Sequence, residues 1–219
     1  MWTVKPFDLP RLLLCEGKDD AEFFRGLIDV RNLPHFHISD TSTQEASQGG
    51  NTGFRRALIA ARNNDNYYSR IRNILVVSDN DDPATSFDKV CDQVERAGFP
   101  KPTARLTPTT PSADRPRLTV MMLPLDPDEE GNLECTCVPA TMSVRDSVSQ
   151  AIRTFDANLH AEDWTPSRRG KLWLRAYLAA TCERDPFVYL SKAFREHADL
   201  IPLDHPSFTP IADVLASLV

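Results

Sequence analysis

The chain has 219 residues, of which 41% are hydrophobic and 26% charged, and a formal net charge of −6. That size and balance suit one large domain, or one domain with a helical extension, and exclude a disordered or fibrous class; a core can be buried without disulfides or zinc. The negative balance excludes general attraction to nucleic acid, so any contact with phosphate needs a local basic patch.

In the opening stretch MWTVKPFDLPRLLLCEG, Asp8 and Pro10 interrupt the pattern, and the apolar run around Leu12 to Leu14 falls far short of a signal core or a membrane span. The expectation is a cytoplasmic protein with no membrane partner. Arg11 to Cys15 reads as a short strand covered on both faces, ending at Glu16-Gly17. In DDAEFFRGLIDV the apolar positions Ala21, Phe24, Leu27 and Ile28 recur at helical spacing behind an acidic first turn, which predicts a helix and completes one β-α unit. HFHI, residues 35–38, is a weak strand, followed by the polar stretch SDTSTQEASQGGNTG, read as an exposed loop. Residues 53–64 resume a helical pattern through Phe54, Ala57, Leu58 and Ala61.

NILVVS, residues 73–78, is the second clear strand and ends at Asp79-Asn80-Asp81-Asp82. Residues 84–97 present Phe87, Val90, Cys91 and Val94 on one helical face, closed by Gly98. The proline- and threonine-rich segment PKPTARLTPTTPSADRP reads as a surface loop, and RLTVMMLP, residues 117–124, as a strand before a third acidic loop, LDPDEEGNLE. Beyond Glu134 the patterns are helical. The expected fold is α/β: a mainly parallel four-stranded sheet flanked by helices over residues 1–140, with a C-terminal helical region over 141–219 packed on it.

Five cysteines, at 15, 91, 135, 137 and 182, form an odd set without a CxxC pair, which indicates reduced thiols. Cys135 and Cys137 are read as two ordinary thiols on one side of a short segment, not as a zinc site. Gly49-Gly50-Asn51-Thr52-Gly53 lacks the lysine and hydroxyl of a phosphate-binding loop and reads as a flexible connection. Arg168, Arg169 and Lys171 form a small basic group that is either a solvated face or a phosphate contact. Trp173 and Tyr177, four apart, read as core packing, and His35 and His37 carry no assigned role.

Three loops that follow strands present carboxylates: Glu16 with Asp19 and Asp20, Asp79 with Asp81 and Asp82, and Asp126 to Glu134. In a parallel α/β sheet the carboxyl ends of the strands share one edge, so these segments can converge there. Acidic residues in turns also serve as helix caps, so no single loop is decisive. A converged all-oxygen cluster without histidine suits magnesium or manganese.

A strand ending in Glu16-Gly17 before a helix, then a strand ending in Asp79-Asn80-Asp81 before a helix, resembles the two signature motifs of the Toprim domain. Within that superfamily the chain is most similar to small stand-alone bacterial proteins related to the OLD-class nucleases. Gly131-Asn132-Leu133-Glu134 resembles their third acidic motif, and KLWLRAYLAA with LDHPSFTPIADVL resembles their C-terminal helical region. The resemblance implies that Glu16 contacts metal or acts as general acid or base, that Asp79 and Asp81 bind magnesium, that Glu134 and Asp20 join them, and that Lys171 is the candidate for stabilising transition-state charge. The expected function is a magnesium- or manganese-dependent phosphodiesterase or nuclease, with nucleic acid or a protein as partner. The alternative is a non-catalytic module that holds a metal ion or nucleotide for regulation. The sequence leaves the oligomeric state open.

Overall fold

The computed structural model of the chain describes residues 8–41, 53–64, 67–110 and 115–218. The first half alternates strands and helices in the order β1 (Arg11–Cys15), α1 (Lys18–Val30), β2 (His37–Asp40), α2 (Phe54–Arg62), the short α3 (Tyr67–Arg70), β3 (Asn73–Asp79), α4 (Ser86–Arg96) and β4 (Arg117–Leu123). The four strands form one sheet in the order β2-β1-β3-β4, and every pairing is parallel.

Residue alternation along the strands divides the core in two. Leu13, Cys15, Leu75, Val77, Met121 and Leu123 point to one face, and Leu12, Leu14, Ile74, Val76, Val120 and Met122 to the other. A strand buried on both sides must be apolar at both parities, which is why β1 and β3 read as continuous hydrophobic runs. Phe54, Ala57 and Leu58 of α2 and Val90 and Val94 of α4 cover the second face. The first face is covered by Phe23, Phe24 and Leu27 of α1 together with the C-terminal helices.

Those helices are α5 (Leu133–Met142), α6 (Asp146–Ala157), α7 (Pro166–Thr181), α8 (Leu190–Glu196) and α9 (Thr209–Ser217), with a 3₁₀ turn at Pro206–Phe208. The ring of Phe23 meets Phe194 and Phe208 edge-on at 5.4 and 5.3 Å. Among the described residues no helix is long and apolar enough to cross a membrane.

Three expectations need adjustment. β2 starts at His37 instead of residue 35 and runs through Ser39 and Asp40, because these pair with Leu14 and Cys15; ladder hydrogen bonds, not hydrophobicity, decide strand membership at this edge. The rest of the polar loop, including Gly49 to Thr52, lies outside the described residues. Secondly, part of the proline-rich segment lines the sheet, since the Leu106 and Thr109 amides donate to the Val120 and Leu118 carbonyls, both at 2.9 Å. The segment thereby covers the edge strand β4, whose unpaired carbonyls would otherwise be open to another chain. Thirdly, Cys135 and Cys137 belong to α5, where a spacing of two puts side chains on different sides. Cys137 is buried in the core and Cys135 turns toward α7.

Candidate functional site

In the strand order β2-β1-β3-β4 the chain runs outward from β1 to β2, crosses back to β3 and continues outward to β4. The direction reverses between β1 and β3, and in open parallel sheets ligands bind outside the carboxyl ends of the strands at such a reversal. Glu16 follows the last residue of β1, and Asp79 is the last residue of β3. A cleft of about 300 Å³ opens there, lined by Glu16, Asp19, Asp20, Asp79, Glu134 and Lys171. Five of the six sequence-selected residues therefore face one space.

Four of the five carboxylates that line the cleft are held by a defined donor. Glu16 Oε1 accepts from the Ser78 hydroxyl and from the Asp79 amide at 3.2 Å. Asp79 Oδ1 accepts from the Leu133 amide at 3.1 Å, which ties the end of β3 to the start of α5. Asp20 Oδ2 accepts from the Gly17 amide at 2.9 Å, closing the first turn of α1. Asp19 Oδ1 accepts from the Ser191 amide at 2.7 Å and so satisfies a donor in the first turn of α8. Glu134 sits in the first turn of α5, where the helix dipole favours its charge.

The sixth selected residue, Asp81, is exposed and accepts from the Ser167 hydroxyl at 2.5 Å. It stands at the rim, tied to the start of α7, yet its charge reaches both Glu16 and Asp79. Asp82 is different: it accepts from the Thr85 hydroxyl and from the Ala84 amide at 3.1 Å, a turn that leads into α4. This assigns Asp82 to the turn that precedes α4 and leaves Asp79 and Asp81 as the pair facing the carboxyl edge.

The cleft is electrostatically costly. Burial pushes the Asp79 carboxyl up to about 9, and the charges of Asp20, Glu16, Asp81 and Glu134 push in the same direction. Burial likewise raises Asp20 to about 7, helped by Glu16 and Glu134. Glu16 and Glu134 are raised mainly by burial, against which Lys171 pulls both down. Lys171 is exposed at the mouth, one turn before Arg175, which also lowers Glu134. A cluster of five carboxylates lined by only two ammonium groups, Lys18 and Lys171, with Arg175 close by, calls for added positive charge or retained protons.

The oxygens suit a hard divalent cation by chemistry, since Glu16 Oε2 and Asp79 Oδ2 take no hydrogen bond among the described residues. As the side chains stand, however, no group of three or more His, Cys, Asp or Glu among the described residues is gathered tightly enough to hold an ion. A coordination shell would need these carboxylates to draw closer together than they stand.

Two close approaches set the geometry around Lys171. A Cβ on Gly170 would lie 2.4 Å from Cys135 Sγ and 3.0 Å from the Cys135 amide nitrogen, so α7 meets α5 at a point where only glycine fits. A Cβ on Gly131 would come within 2.7 Å of the Pro124 ring. The basic group read from the sequence is split: Arg168 stacks on Trp164 at 3.7 Å, Arg169 lies 3.2 Å from Asp156, and Lys171 alone turns to the cleft.

The family whose model matches the chain is described as "Protein of unknown function (DUF3226)", and the match spans residues 10–219. The chain belongs to this family. No curated protein and no solved structure matches it.

Sequence reasoning missed the residues that hold this family member's site together. Asn80 is fully buried; its amide group donates to the Glu129 carbonyl at 2.6 Å, and its oxygen accepts from Arg105 at 3.1 Å. Asn132 is also fully buried, caps α5 by accepting from the Cys135 amide at 3.0 Å, and donates to the Ser167 carbonyl at 3.2 Å. An asparagine three residues before Cys135 is a capping signal that was legible. Arg105, an isolated cation in a proline-rich stretch, carried no such signal.

Proposed function

We propose that this protein is a magnesium- or manganese-dependent phosphodiesterase of the Toprim type, acting on nucleic acid at the cleft between β1 and β3. The observation that supports the reading is the convergence of Glu16, Asp20, Asp79 and Glu134 with Lys171 at the reversal of strand order, from four separate segments. Structural caps alone do not require several partly desolvated carboxylates to line one cleft, since each burial costs free energy.

In this reading Glu16 and Asp79, with Asp20, Asp81 and Glu134 around them, hold the cation. When bound, the cation supplies charge neutralisation for the phosphate and activates water at neutral pH. Glu16, whose carboxyl burial raises while the Ser78 hydroxyl pulls it back down, lines the cleft where it can exchange a proton with an attacking water. The Lys171 ammonium at the mouth offers a positive partner to charge building on a phosphate oxygen.

The test is cleavage of supercoiled DNA, linear DNA and structured RNA with magnesium or manganese, alongside calorimetric titration of the ion. Asp79→Ala and Glu16→Ala are expected to abolish cleavage. Lys171→Met is expected to lower it by about 10²-fold, the scale of losing one charge-stabilising group, while the ion still binds. Cleavage that persists in Asp79→Ala would overturn the proposal.

A second reading is favoured by the internal donors that already engage Glu16, Asp20 and Asp79. Under it the cleft is a non-catalytic module that binds an ion or a nucleotide phosphate for regulation. Ion binding that depends on Asp79 without any cleavage would support it.

A further inference from the structure

On the face of the sheet opposite α1, helices α2 and α4 enclose a groove of about 640 Å³ lined by Arg55, Arg56, Lys89 and Arg96 over an apolar floor at Ile59. All four cations are exposed. Among the described residues Arg55, Arg56 and Arg96 lie within salt-bridge distance of no carboxylate, and Lys89 reaches Asp82 only at 4.0 Å. The carboxylate that lines the groove, Asp92, is already engaged by Lys101 at 2.6 Å. Asp88 and Glu95 lie elsewhere on α4, and neither lines the groove.

Three arginines without a carboxylate at salt-bridge distance, beside a lysine held only at the 4.0 Å limit, repel one another, and Asp92, which Arg96 also pulls down, offsets only part of that charge. On a chain with net charge −6 such a concentration stands out against the average surface. We infer that the groove between α2 and α4 is a track for the phosphate backbone of a nucleic acid, read without base specificity. This rests on the proposed function and supplies what the carboxylate cleft lacks, an attractive surface for a polyanion.

The placement supports a shared substrate. In a parallel sheet, helices that follow strands start at the carboxyl edge, so Arg55 and Arg56 in the first turn of α2 and Lys89 in that of α4 lie on the edge that carries Glu16 and Asp79. Arg96, in the last turn of α4, marks the far end. At 1.5 Å per residue a helix the length of α2 extends roughly 14 Å, about four nucleotide steps at 3.4 Å each. Arginine suits this role because its planar fork grips phosphate with two donors. The groove therefore starts at the same carboxyl edge of the sheet as the acidic cleft, on the opposite face, and shares no lining residue with it.

The experiment measures binding of the full chain to fluorescein-labelled single-stranded DNA, duplex DNA and RNA by anisotropy across a salt series, in EDTA so that cleavage does not interfere. Anionic phospholipid vesicles and a polyglutamate peptide serve as rival polyanions. The double variant Arg56→Glu/Arg96→Glu, at exposed positions and checked for an unchanged melting temperature, is expected to weaken nucleic-acid binding at least about tenfold. It should also reduce the log–log salt slope by about 2, one for each phosphate left without its arginine. Asp79→Asn should bind as the wild type does, so loss of catalysis and loss of the track are read separately. Unchanged affinity and slope in the double variant would overturn the inference, as would vesicle or peptide binding in the absence of nucleic-acid binding.

Discussion

Asp79 carries the largest electrostatic burden of any residue in the cleft. Its carboxyl is raised from 3.8 to about 9, first by burial and then by four neighbouring carboxylates. A group with a raised folded-state pKa contributes stability that is fully present below its unfolded pKa and is lost as pH rises through the folded value. For Asp79 that window runs from about pH 4 to about pH 9, and Asp20, raised to about 7, slopes the same way. Asp79→Asn keeps an oxygen that accepts from Leu133 and removes the ionisation. The ion-free variant is therefore expected to match the wild type near pH 4 and to exceed it by on the order of 2 kcal/mol at pH 8, well below the nominal shift because the neighbouring groups titrate together. Urea unfolding at both pH values in EDTA checks this, and a variant no more stable at pH 8 would remove the claim of electrostatic strain. Such a sacrifice of stability at one position is common at sites selected for function.

At the level of elements, the join between α5 and α7 decides where Lys171 stands. Gly170→Ala places a methyl group against Cys135 Sγ, the Cys135 amide and its Cα at 2.4, 3.0 and 3.1 Å. Overpacking of that kind typically costs about 1–3 kcal/mol. Adding Cys135→Ala removes the sulfur contact but not the backbone ones, so the double variant should recover part of the loss and no more. Thermal unfolding of the two variants gives the answer; full recovery would locate the strain in the sulfur alone. The same join explains what was hidden in the sequence. β1, α1, β3 and α4 were legible because each has a full apolar face and a clear acidic or glycine boundary. α5 was not, since LECTCVPATM contains Pro139, which removes an intrahelical hydrogen bond, and has few strong helix formers. It is fixed by the buried Asn132 cap and by packing on α7, which are tertiary facts. The acidic residues of the cleft could be chosen in advance because strand ends in a parallel sheet share an edge. The buried asparagines beneath them could not be ranked, because an amide in an acidic turn reads as a turn residue until its partners are known.

For the whole molecule the question is whether the sheet can stand without the C-terminal helices. One face of the sheet and the inner side of α1 are buried by residues beyond 140, including Leu174, Tyr177, Phe194, Phe208 and Leu215. Polar ties follow the same route. Arg31 donates to the Leu203 and His205 carbonyls at 2.9 and 2.6 Å, and Arg11 to the Leu218 carbonyl at 3.0 Å. Removing residues 141–219 would expose Phe23, Phe24, Leu27 and Ile28, each buried side chain contributing about 1.5–3 kcal/mol, against a total stability on the order of 10 kcal/mol for a domain. The fragment 1–140 is therefore expected to lack a cooperative thermal transition and a near-ultraviolet dichroism signal, and to associate through its bare face, while the full chain unfolds in one step. A monomeric fragment with a sharp transition would show that the sheet and its second-face helices suffice. In that case α7, with Lys171 at its N-terminal end, would be a separable cover over the cleft instead of part of the core that shapes it.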